Sequence, residues 1–183
     1  MNDKTTNSND IRTLIQEYLL EEGILRNKIE NDNIEFGYRF IFPPAPPNQK
    51  LKQSQSMVVF QPKHKNDMLI ISIGTQINPA HVEALKKKEV ELLFFNELKK
   101  LLHLKDLFFY IDSKNFRYEI SEQTFVENNY LTKNSFYSLI RKVFNIQAYS
   151  NLMLLEFCSG EGDLQSFDPS AKFDPGSGFS LYT

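Results

Sequence analysis

A single cysteine, Cys158, rules out an intrachain disulfide and suits a reducing compartment. Tryptophan is absent, and the three histidines, His64, His81 and His103, have no partner at zinc-ligand spacing. No run approaches the roughly 18 uninterrupted apolar residues of a membrane-spanning helix, and the opening MNDKTTNSND has no apolar core of the secretory kind. The 7 glycines form neither a nucleotide-binding Gly-Lys-Ser/Thr pattern nor a strand-linked triad. Positive charge is not in excess either: the formal net charge is -2 and the pI near 6.0, so no global field draws nucleic acid or anionic lipid. These absences lead us to expect a cytoplasmic protein with no membrane association, no nucleic-acid partner, no cofactor, no metal site and no catalytic residue.

What is present fits a folded chain. Charged residues make up 24% and apolar residues 41% of 183 positions, a globular balance. That length buries about two-thirds of the unfolded surface in one core. We expect one domain over residues 10–159, a flexible segment at 1–9 and a flexible tail at 160–183, where Gly, Ser, Asp and Pro dominate and Phe167-Asp168-Pro169-Ser170 nearly repeats as Phe173-Asp174-Pro175-Gly176.

The spacing of Ile11, Leu14, Ile15, Tyr18 and Leu19 predicts a helix from Asn9 to Glu22, capped by Asn9 or Asp10 and stopped by Gly23 with Ile24. Strand-like runs follow at Ile24–Glu30, Ile34–Phe42, Ser56–Gln61 and Asp67–Ile77. In the second run, Phe36, Tyr38, Phe40 and Phe42 share one side of the pleat and should be buried. Asn31-Asp32-Asn33 and Lys65-Asn66-Asp67 are turn residues, so the four strands should form a meander. Asn78-Pro79 then opens a helix expected to run unbroken to Leu104, with Val90, Phe94, Leu98 and Leu101 on its main stripe and Leu85, Leu92 and Phe95 on a second. A hairpin over Leu107–Ile111 and Phe116–Ile120 comes next. The last helix is capped by Thr132, faces inward with Phe136, Leu139, Ile140, Val143 and Phe144, and reaches Cys158. The fold class is α+β: helix, four-strand antiparallel meander, long helix, two-strand hairpin, C-terminal helix.

Candidate chemistry is thin. Cys158 has acidic neighbours in Glu156 and Glu161 and no flanking base, so it reads as a structural thiol. Gly74, alone in a strand, reads as a bulge or close contact. Pro43-Pro44-Ala45-Pro46-Pro47 favours an extended conformation that stiffens a strand connection. Lys86-Lys87-Lys88 and Lys99-Lys100 alternate with Glu83, Glu89, Glu91 and Glu97, as on a solvated helix face. Aromatics reach 13%, with 16 Phe and 8 Tyr, more rings than one small core hides, which makes room for a sticky face or a homodimer.

The element order resembles that of type III secretion chaperones. Phe60-Gln61-Pro62-Lys63, the stretch Ile77 to Leu85, and Leu131-Thr132-Lys133 with Phe136 look like an uncharacterised, largely archaeal family with that fold, over Asp10 to Phe157. The resemblance implies helices on a twisted antiparallel sheet, often dimeric, that binds extended polypeptide along apolar grooves or sheet edges. It transfers no catalytic residue. We therefore expect a non-enzymatic, chaperone-like adaptor that binds another polypeptide, with Leu85, Leu92 and Phe95 as the contact surface. Two alternatives compete: a structural subunit anchored by its C-terminal tail, and an enzyme whose site is assembled from remote residues.

Overall fold

Residues 7–44, 54–65, 67–126 and 131–159 are described by a computed structural model. The expected C-terminal tail, most of the proline-rich stretch and residues 1–6 lie outside the described residues. The elements are α1 (Asn7–Glu21), β1 (Leu25–Ile29), β2 (Ile34–Phe42), β3 (Gln55–Pro62), β4 (Met68–Gln76), α2 (Pro79–Lys87), α3 (Glu91–Leu104), β5 (Phe108–Asp112), β6 (Arg117–Phe125) and α4 (Lys133–Ser159). The class is α+β, with a six-stranded antiparallel sheet in the order β1-β2-β3-β4-β6-β5. The first four strands form the expected meander, and β6 pairs with β4, leaving β5 as a terminal strand.

The chain divides into two compact units: residues up to Ser72 with Ser121–Val143, and Ile73–Ile120 with residues from Phe144 onward. In the first unit, α1 begins at Asn7, so Asn9 and Asp10 lie inside the helix and not at its cap. Gly23 stops it as expected, at a φ of 65°, with its N–H on the Leu20 carbonyl and the Ile24 N–H on that of Leu19. The left-handed turn costs glycine nothing and lets Ile24 fold back into the core.

Strand β2 turns Phe36, Tyr38 and Phe40 inward, all buried, while Phe42 is half-buried at its end. Each buried ring contributes roughly 1.5–3 kcal/mol. The Tyr38 hydroxyl reaches α1, donating to Gln16 Oε1 at 3.1 Å, which satisfies its polar tip inside apolar packing. On the opposite side of the pleat, Gly37 is tightly enclosed, since a Cβ there would stand 3.2 Å from Ile29 Cβ and 3.3 Å from Phe60 Cβ. The β1–β2 turn closes with the Asn33 N–H on Asn31 Oδ1 at 2.8 Å, a side chain imitating a backbone turn. The start of α4 is capped by Thr132, whose Oγ1 accepts the Ser135 N–H at 3.1 Å.

In the second unit, Asn78 caps α2 by accepting the Ala80 N–H at 2.9 Å, with Pro79 in the first turn. The helix does not run on to Leu104. It ends at Lys87, Glu89 takes a left-handed φ of 57°, and α3 starts at Glu91. In an unbroken helix Leu92 would lie seven residues beyond Leu85, nearly above it on the same face. The break resets that phase. Leu85 stays buried, Phe94, Phe95, Leu98 and Leu102 form the inward stripe of α3, and Leu92 turns out.

Candidate interaction surface

The end of α3 sets up the surface. Lys105 N donates to the Leu101 carbonyl, Asp106 N to His103 and Leu107 N to Leu102, and Asp106 sits at a φ of 51°. This closure satisfies carbonyls that the last helical turn would leave open. It buries Leu107 and leaves Leu104 79% exposed just before the turn. The pleat of β5 then alternates. Phe108 and Tyr110 are 55% and 51% exposed. Phe109 and Ile111 are half-buried, and the Phe109 ring meets His103 edge-on at 4.9 Å.

Strand β5 passes to β6 through a tied turn. Asp112 accepts from the backbone of Asn115 at 3.2 Å and its side-chain amide at 2.8 Å, and Arg117 Nε lies 3.3 Å from the same carboxylate. The Asn115 hydrogen bonds, then Arg117, hold the Asp112 carboxyl below its usual range. Phe116 follows in a left-handed conformation, φ 52°, uncommon for a bulky side chain. Its carbonyl accepts from Ile77 N at 2.9 Å, and its ring meets Phe95 and lies under Lys86 Nζ at 5.1 Å. One of the expected solvated lysines is therefore spent on an aromatic face.

A buried polar cluster in the same unit is the other chemical candidate. The hydroxyls of Tyr118 and Ser150 lie 2.8 Å apart, Ser150 donates to the Gln147 carbonyl at 2.7 Å, and Gln147 Nε2 donates to Thr75 Oγ1 at 3.1 Å. Since the Ser150 proton goes to Gln147, Tyr118 is the donor to Ser150. Burial pushes the Tyr118 phenol up, against the hydrogen bonds of Ser150 and Thr75 that pull it down. A neutral tyrosine fully engaged in the interior fastens α4 to the sheet strands.

The remaining titratable groups separate. His64, with φ 66°, occupies the β3–β4 turn, and His81 is half-buried in α2, its imidazole held below the ordinary histidine range by burial. Its carbonyl accepts a long contact from Cys158 Sγ at 3.7 Å. Burial raises the Cys158 thiol, outweighing the field of Lys88, which favours the protonated form over the thiolate. Among the described residues no three His, Cys, Asp or Glu side chains gather as metal ligands. In the first unit, Lys133 binds Glu22 at 2.6 Å and Glu21 at 2.9 Å, which raises its ammonium above the usual lysine range. Beside it the Tyr137 hydroxyl donates to the Tyr18 carbonyl at 2.8 Å and is pushed up to about 12 by burial and the charge of Glu22. These groups latch α1 to α4.

Of the three expected contact residues, Leu92 is 70% exposed, whereas Leu85 at 0% and Phe95 at 5% are core. The expectation placed all three on one unbroken helix, and the break at Glu89 separates them. Phe108 and Tyr110 take their place on the surface. Strict alternation in Phe108-Phe109-Tyr110-Ile111 was the available signal, masked because both sides of the pleat are apolar. The second unit also exposes Leu93, Tyr149 and Leu152, and the first exposes Leu20 and Phe125. Among the described residues no helix is long and apolar enough to cross a membrane.

No curated protein matches the chain. It is similar in fold to the crystal structure of an uncharacterized protein from Methanothermobacter thermautotrophicus, with a TM-score of 0.69 and 23% identity over 81% of this chain and 99% of that one. Residues 11–154 match the model of a family described as an uncharacterized conserved protein (DUF2299), and the chain belongs to that family.

Proposed function

We propose that this protein is a non-enzymatic, cytoplasmic, chaperone-like adaptor that holds another polypeptide on the second unit. One observation carries the reading: Leu92, Leu93, Leu104, Phe108 and Tyr110 keep more than half of their surface in water. Exposed large apolar side chains are candidates for a binding surface, because water contact at such groups is costly unless a partner relieves it. The resemblance to secretion chaperones supports the same reading, with α2 and α3 together standing for the central helix. The titratable groups support it too, since the buried hydroxyls of Tyr118 and Ser150 are internally satisfied and burial favours the neutral form of the Cys158 thiol.

The test is site-directed photocrosslinking in the native cell, with the crosslinker at Leu92 and, as control, at exposed Glu83. A polypeptide captured from position 92 and not from position 83 is the expected result. Leu104→Glu, with the crosslinker still at position 92, should abolish capture while changing stability by less than about 0.5 kcal/mol. Equal capture at both positions, or none at either together with no self-association, would remove the reading.

A further inference from the structure

We propose that two copies of this chain exchange halves at the join between α2 and α3, where straightening of Lys88-Glu89-Val90 makes residues 79–104 one helix and the pair of chains a domain-swapped dimer. The inference goes beyond the adaptor reading and does not depend on it, since the partner is a second copy. Among the described residues this is the one place where helix follows helix directly, so a change of conformation at a single join would fuse two elements. The join contains neither glycine nor proline, and all three of its residues are ones that a helix accepts.

Backbone bonds hold the break. Glu89 N donates to the Lys86 carbonyl at 3.0 Å and Val90 N to that of Leu85 at 3.1 Å, the pair of bonds that closes a helix around a left-handed residue. Glycine takes that conformation freely, but here it falls on Glu89, at a φ of 57°, where a Cβ makes it costly. Lys88 and Glu89 are exposed, and among the described residues the Glu89 side chain makes no hydrogen bond or ion pair that would secure the turn. The next helix also starts as a continuation would. Asn78 caps α2 and Thr132 caps α4, whereas Val90 at the entry to α3 supplies no side-chain cap, which leaves the first amides of α3 without the acceptor a cap provides. In a fused helix the amides of Glu91, Leu92 and Leu93 meet the carbonyls of Lys87, Lys88 and Glu89, four residues back.

Exchange keeps the packing that straightening within one chain would destroy. In a lone chain a fused helix pulls buried side chains out of the core, either Leu85 of α2 or Phe94 and Leu98 of α3, whereas two copies each receive the other's half. The contacts that cross the join in sequence are then remade between chains: Lys133 with Glu21 and Glu22, and Tyr137 with Tyr18, in the first unit; Gln147 with Thr75, and Ile77 with Phe116, in the second. Only residues 88–90 change conformation. The dimer gains helical hydrogen bonds and loses the left-handed glutamate, against the entropy of joining two chains. Because the crossing contacts must open before they are exchanged, the dimer forms on refolding at high concentration and persists on dilution.

The test mixes equal amounts of full chain in heavy and light isotope, unfolds them together and refolds them at high concentration. Monomer and dimer are separated by size and treated with a carbodiimide, which couples Lys133 to Glu21 or Glu22 across their ion pairs. In the dimer, about half of the couplings of Lys133 to these glutamates should join heavy to light, as random pairing of exchanged chains requires; in the monomer none should. Glu89→Gly should lower the ratio of dimer to monomer at least about tenfold, because glycine favours the turn and disfavours the helix at two joins per dimer, while Glu89→Ala should raise it about threefold. A dimer whose couplings stay within one isotope would be a surface dimer and overturns the inference. A chain that is monomeric at every refolding concentration, or a dimer that Glu89→Gly leaves as abundant as before, overturns it as well.

Discussion

At one end of the sheet, β1 shows Arg26, Asn27 and Lys28 to water and breaks its register; at the other, β5 shows Phe108 and Tyr110. Both strands are five residues long, so length does not distinguish them. Burial of the neighbours does not either, since β2 beside β1 and β6 beside β5 both carry buried aromatics, Tyr38 and Tyr118. The difference lies in the outward side chains. Charge at an edge makes the approach of another strand costly, whereas exposed rings make it favourable. The comparison teaches that the two terminal strands differ in what they expose, charge on β1 and rings on β5.

Four measurements sharpen or break this contrast. The largest effect belongs to the rings that are hidden: Phe40→Ala should cost about 3–5 kcal/mol in urea denaturation, while Tyr110→Ala should change stability by less than about 1 kcal/mol. Comparable losses at the two positions would mean that β5 is packed as core and that the contrast is false. Next, Tyr118→Phe should cost about 1–2 kcal/mol by leaving Ser150 short of its incoming hydrogen bond.

The same hydroxyl governs the alkaline limit. A tyrosine in the unfolded chain ionises near pH 10, and the folded value of Tyr118 is higher, as is that of Tyr137. Above about pH 10 the unfolded state therefore binds fewer protons, and stability must fall as pH rises, by up to about 1.4 kcal/mol per pH unit for Tyr118. Tyr137 adds a smaller share because it is only partly shielded, and that share ends near its folded value of about 12. Tyr118→Phe should flatten the fall measured between pH 9 and 11, expected over about one unit on either side of the unfolded value. An unchanged slope would break the assignment. The smallest effect is a gain: Glu89→Gly should raise stability by up to about 1 kcal/mol, by relieving the left-handed conformation at the exposed join between α2 and α3.

Much of the fold was legible from local rules. Gly23, Asn78-Pro79, Thr132 and Asn31-Asp32-Asn33 each act through their own backbone neighbourhood, and each appears where sequence reading places it. Strand β2 has the expected bounds because alternation of Phe36, Tyr38 and Phe40 needs no tertiary information. The break between α2 and α3 was not legible: Lys88, Glu89 and Val90 include neither glycine nor proline, and the stop at Glu89 relies on a left-handed conformation that glutamate does not announce. That miss moved Leu85 and Phe95 to the wrong surface. Of the candidate surface, the exposure of Leu92 was legible and that of Phe108 and Tyr110 was not, because these two differ from their neighbours by which side of a pleat they occupy, and only the position of β5 at the end of the sheet reveals that side. The phenolic bond from Tyr118 to Ser150 spans 32 positions, a pairing no local pattern encodes.

The hydroxyl and amide groups of Thr75, Tyr118, Gln147 and Ser150 have a consequence for α4. A long helix lying on aliphatic side chains alone could slip by one turn, about 5.4 Å, and still cover oily surface. Here such a slip would strand two partners at once, Thr75 from Gln147 and Tyr118 from Ser150, each left thirsty in a dry interior. The cluster works as a key cut for a single notch, so residues 144–159 of α4 have one admissible seating, and force or ligand applied along the helix axis meets a latch before it meets grease.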